Sequence, residues 1–161
     1  MTATATIETI WCLRQGTGAD SDVNQALCDI IPAFFLEEIG ERSLADFVKG
    51  LPGVARAMDS AHDDPDDLYL TADTSGKLDH SIWPPGYTTV DMRADQSVAP
   101  GLCIPVSHTQ NLSLWDHDIG SGDDHLGSIT IFEAERGGGE LVKLAKSDDE
   151  SSYYYIKYRV D

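Results

Sequence analysis

Apolar and polar positions alternate near both ends of the chain and fall at helical spacing between them. Residues 4–13, TATIETIWCL, are β-branched and roughly alternating, with Ile7, Thr9 and Trp11 on one side and Glu8, Ile10 and Cys12 on the other. That pattern predicts a strand. The Gly/Asp-rich RQGTGADSD after it predicts a turn. From Asp22 the period changes: Val23, Leu27, Ile30, Ile31, Phe34 and Phe35 recur at helical spacing, and Asp22 suits an N-cap. Pro32 kinks or divides this helix and Gly40 ends it. Ser43 with Asp46 makes a weaker version of a capping box for a second helix, and GLPGVARAM adds a third turn or two. The helical segment covers about 22–61.

Period two returns at DDLYLT, where Leu68 and Leu70 share one face and Tyr69 and Thr71 the other. The prolines of KLDHSIWPPGY suit an edge or loop. Further strands are expected at GYTTVDM, SVAPGLCIPVS, NLSLWD, LGSITIFE, GELVKLA and SYYYIKYRV. In the last, Tyr154, Ile156, Tyr158 and Val160 form one face, and Tyr153, Tyr155, Lys157 and Arg159 the other. Short strands separated by turn residues predict an antiparallel sandwich or barrel. At 161 residues the chain suits one domain. The expected fold is therefore mainly β, with a small α-helical insertion after the first strand.

Charge narrows the function classes. A net charge of −17, from 28 acidic against 11 basic residues, repels nucleic acid and bare anionic lipid. It favours cations, although solubility or salt adaptation would also account for it. Cys12, Cys28 and Cys103 have no metal-ligand or redox spacing. The N-terminus lacks a basic region followed by an apolar run, and no stretch is long enough to span a bilayer. A cytoplasmic start, with any export by a non-classical route, is expected. Catalysis is not expected. His62-Asp63 and His117-Asp118 invite a metal phosphohydrolase reading, but such ligands project from helices, and Asp118 begins a loop after a strand. There is no Gly-x-Ser-x-Gly elbow, Walker A loop or dinucleotide fingerprint.

The most informative stretch is LSLWDHDIGSGDDHLGSITI, Leu112 to Ile131. It places Asp116, Asp118, Asp123 and Asp124 between two alternating runs. Clustered hard oxygen donors suit Ca²⁺, which accepts six to eight oxygens in loose geometry. An EF-hand does not fit, because its glycine position is Ser121 and its bidentate glutamate position is Gly127. Asp and Gly are also ordinary turn formers, so a solvated hairpin loop stays open on this pattern alone.

The same stretch resembles the third loop of calcium-binding C2 domains, where a strand ends in Asp-x-Asp and a later Asp precedes the next strand. The resemblance covers 66–161 and the first strand. It implies Asp116, Asp118 and Asp124 as calcium ligands, Gly127 as a strand-opening glycine, and Asp67 of DDLYLT as a first-loop ligand. Asp67 precedes Leu68 where the family has Pro, and the helical segment falls inside the first loop. Asp20, Asp22, Asp63 or Asp64 could each complete that loop, with Asp91 a candidate in the second. Asp123 is expected to point away from the ligands. The implied function is Ca²⁺-dependent binding to membrane phospholipid or a protein partner. The segment bearing Phe34 and Phe35 would be a membrane or partner contact, or would pack on the sandwich. The alternative is an effector or toxin-type protein whose insertion acts on a partner or membrane, with calcium only structural.

Overall fold

Ten strands emerge where the alternating runs lie, in a computed structural model that describes residues 2–16, 65–93, 96–120, 122–147 and 152–161. The predicted helical segment, with Phe34, Phe35, Asp20, Asp22, Asp63 and Asp64, lies outside the described residues. The strands are β1 (Ala3–Arg14), β2 (Asp66–Thr71), β3 (Ser81–Trp83), β4 (Val90–Met92), β5 (Gln96–Val98), β6 (Leu102–Val106), β7 (Thr109–Asp116), β8 (Asp124–Phe132), β9 (Leu141–Ser147) and β10 (Ser152–Val160). Among the described residues the only helical turns are 3₁₀: η1 (Leu78–His80) and η2 (Glu133–Glu135).

The strands form two antiparallel five-stranded sheets. The first runs β5-β1-β10-β9, with β6 also pairing β1; the second runs β3-β2-β7-β8, with β4 also pairing β2. The expected single strand SVAPGLCIPVS is thus two, β5 and β6, which pair with successive halves of β1. Alternation sends Leu68, Leu70, Leu112, Leu114, Ile129 and Ile131 of the second sheet inward. They meet Ile7, Ile10, Cys12, Tyr154, Ile156, Tyr158 and Val160 of the first, and burying this apolar surface is what holds the sandwich together. Cys12 is part of that core, as a free cysteine usually is, whereas Cys103 is exposed.

One expectation about β1 needs correction. Strict alternation puts Ile7 with Thr9 and Trp11, yet Ile7 is in the core with Ile10 and Cys12. A register shift between Ile7 and Thr9 against β10 inserts an extra residue and exchanges the faces beyond it. Period-two reading has no means of detecting such a bulge.

Two features tie the sheets together. Asp66, 1% exposed at the start of β2, accepts the Gly16 N–H on both carboxylate oxygens at 3.0 Å and the Tyr154 hydroxyl at 2.5 Å. This buried carboxylate links the end of β1 and the start of β10 to the second sheet. On the side where β8 meets β9, Gly127 has φ +140, and a Cβ there would lie 2.5 Å from the Lys146 backbone nitrogen. It sits within β8 and does not open it, because the strand already begins at Asp124.

Candidate metal centre

The β7–β8 hairpin builds the site. Leu112 and Leu114 anchor β7 in the core, which carries Asp116 to the strand's last position. Asp124 opens β8 directly opposite Asp116 in the ladder, so the two carboxylates flank the mouth of the loop. One ligand oxygen from each of Asp116, Asp118 and Asp124 lies within 4.8 Å of the others. Oxygens sharing one Ca²⁺ at roughly 2.3–2.6 Å stand at most about 5 Å apart, so this donor set fits such an ion.

Asp67 stands beside this set and is not one of the three. Its N–H donates to Asp116 Oδ1 at 2.6 Å, and its carbonyl accepts the His117 N–H at 3.0 Å. Across the β2–β4 ladder Asp67 faces Asp91. Asp91, weakly marked in the sequence, therefore belongs to the same end of the sandwich. The first-loop alternatives Asp20, Asp22, Asp63 and Asp64 lie outside the described residues.

The carboxylates feel this crowding. Burial raises Asp116 to about 6; the Asp67 N–H opposes that, and the charges of Asp118, Asp67 and Asp124 add to it. Asp67 is raised by burial, then by its hydrogen bond to Asp91 and that residue's charge. Asp124 is raised by burial, then by its hydrogen bond with Asp118 and the charges of Asp118 and Asp123. Carboxylates raised in this way take up protons more readily than free ones, and a bound cation would compete for the same oxygens.

Asp123 is not one of these three, but it is not idle. Its side chain is 10% exposed. It accepts the Tyr69 hydroxyl at 2.5 Å and the Asp118 N–H at 3.2 Å, and lies 3.0 Å from His117 Nδ1. Burial, then the hydrogen bond and charge of Asp123, raise the Tyr69 hydroxyl, which stays protonated and donates. Asp123 thus buckles the loop onto β2. The sequence held no sign of this, since Tyr69 is 54 residues away. His117 serves the same buckle, on a loop and not on the helix that a phosphohydrolase pairing requires. Ile119 was also missed: it is 97% exposed, beside Asp118 in the same loop.

Comparison with known proteins adds little. No family description matches the chain, and no curated protein matches it. Among solved structures, it is similar to human GIVD cytosolic phospholipase A2 in complex with methyl γ-linolenyl fluorophosphonate. That match has a TM-score of 0.39 and 12% identity over 99% of this chain and 16% of that one. The same human enzyme with the inhibitor and terbium chloride gives a TM-score of 0.40 and 12% identity, over 99% of this chain and 17% of that one.

Proposed function

We propose that this chain is a C2-type binding module that holds Ca²⁺ through Asp116, Asp118 and Asp124, with Asp67 and Asp91 beside them. Its metal-loaded end engages an anionic phospholipid surface. The observation that carries this reading is the convergence of the three carboxylates at the mouth of the β7–β8 hairpin. Bound Ca²⁺ would supply the positive charge this end lacks, and a cation at such a site reverses the local sign seen by a phosphate. The chain's own residues do the rest. Asp67 fixes Asp116 through its N–H, Asp123 fixes the loop, and Ile119 offers an apolar side chain to an interface.

Vesicle sedimentation tests this, with phosphatidylserine/phosphatidylcholine vesicles in the presence and absence of Ca²⁺, alongside calorimetric titration of Ca²⁺ alone. The expected result is heat of binding that Asp118→Asn removes, and pelleting only with Ca²⁺. Ile119→Ser should keep the heat and lose most of the pelleting. Absence of calcium binding would overturn the metal reading. Binding of calcium without pelleting would leave calcium a structural role and return the contact to a protein partner.

A further inference from the structure

β2 grips the aspartate loop at two points. Asp67 and Tyr69 are alternate residues of that strand and so lie on one face of it. Asp67 works through its backbone, with its N–H on Asp116 Oδ1 and its carbonyl accepting the His117 N–H. Tyr69 works through its side chain. It is the ladder partner of Trp115, the residue before Asp116, and its ring meets the His117 ring edge-on, with centroids 6.4 Å apart. Its hydroxyl donates to Asp123 Oδ2 at 2.5 Å. The other oxygen of Asp123 lies 3.0 Å from His117 Nδ1 and accepts the Asp118 N–H at 3.2 Å. One carboxylate therefore joins both stems of the loop, since Asp123 directly precedes Asp124 in the chain and holds the backbone of Asp118 on the other side. Both of its oxygens are engaged, and it is not one of the three converging carboxylates.

We propose that Tyr69 is a positioning residue for calcium: through Asp123 it sets Asp118 and Asp124 in place before the ion arrives. The proposal rests on the calcium reading of this site. Three converging carboxylates repel one another and drive a metal-free loop open. A loop that opens has to be ordered again as the ion binds, and that loss of conformational freedom lowers affinity. A loop already clamped loses less. The affinity of oxygen-lined calcium sites follows rigidity as well as ligand charge. This clamp supplies rigidity, and it does so without adding a carboxylate to the three. The work is divided along β2, where Asp67 fixes Asp116 and Tyr69 fixes the rest of the loop. An aromatic ring at position 69 is then not enough, because the contact with Asp123 is made by the hydroxyl.

Calorimetric titration of Ca²⁺ and amide hydrogen exchange of the metal-free full chain test this, on wild type, Tyr69→Phe, Asp123→Ala and the double variant. Tyr69→Phe keeps the buried ring and removes only the hydroxyl. It should weaken Ca²⁺ binding about five-fold, the equivalent of one net hydrogen bond. The Asp118 amide should exchange faster in metal-free Tyr69→Phe than in wild type. In the Asp123→Ala background the same change should have no further effect on either measurement, because a residue acting through Asp123 has nothing left to act on. Either change without the other, or an additive loss in the double variant, would overturn the proposal. Wild-type affinity and exchange in Tyr69→Phe would overturn it as well, with the calcium reading intact. Absence of Ca²⁺ binding by wild type would overturn both. His117→Ala, which removes a second side-chain partner of Asp123 at a position 31% exposed, gives the same readout should Tyr69→Phe fail to fold.

Discussion

Asp118 and Asp123 stand five residues apart in one loop, and their amide variants should behave in opposite ways. Asp118→Asn takes one charge from a set whose carboxylates already repel. Metal-free stability should rise while Ca²⁺ affinity falls tenfold or more, roughly the loss of one charged donor. Asp123→Asn weakens acceptors for the Tyr69 hydroxyl and the Asp118 N–H. It should destabilise the metal-free protein by about 1–2 kcal/mol and lower affinity only indirectly, through a looser loop. Urea melts and calorimetric titration of both variants check this, and equal stability changes would contradict it. A second residue prediction lies at the opposite end of the sandwich. Burial alone would raise Glu135, but hydrogen bonds from Lys143, the Phe132 N–H and the Tyr158 hydroxyl lower it below its usual 4.5. A carboxylate lowered on folding contributes stability above its unfolded value and loses it as pH falls through its folded value. Glu135→Gln should therefore cost about 2 kcal/mol at neutral pH, and the gap from wild type should narrow below about pH 4.5. Melts across pH 3–7 measure it.

At the scale of elements, β8 must pass close to β9, and Gly127 is what permits it. A methyl group there meets the Lys146 nitrogen and Ala145 carbonyl carbon of β9, at 2.5 and 2.6 Å, on a backbone with φ +140. Neither neighbour is a flexible side-chain end, so Gly127→Ala should destabilise by about 3 kcal/mol, combining overpacking with a strained backbone. Gly122→Ala, with nothing within 4 Å of its Cβ, should be nearly neutral by the same denaturant melt. The strands themselves were legible because one face of each sheet is buried and the period of two is enforced by that burial. Face assignment failed where β1 bulges after Ile7, because the bulge answers to pairing with β10 and not to anything within β1. The short strands β3 and β4 are likewise set by pairing with β2.

For the whole molecule, the net charge of −17 makes cations the natural source of stability. On the proposed reading, Ca²⁺ should raise the melting temperature by several degrees, because an ion bound to the folded loops would relieve their repulsion. Mg²⁺ should do less, because it requires tighter octahedral geometry. Monovalent salt should give a smaller rise through screening. Thermal scans in the three salts test this, and equal effects at equal ionic strength would reduce the site to general screening. The sequence by itself determined the sandwich pattern, the acidity and the aspartate-bearing hairpin, because period, composition and turn chemistry are local properties. It could not determine which carboxylates from other strands stand beside that hairpin. Asp67 and Asp116 are brought together by the β2–β7 ladder, and Asp91 by the β2–β4 ladder. Tertiary structure alone decided the roles of Asp66, Asp123 and Tyr69, whose partners are distant in the chain. The Asp66–Tyr154 bond exists only once hydrophobic burial has stacked one sheet on the other, and the Tyr69–Asp123 bond only once β2 has paired with β7.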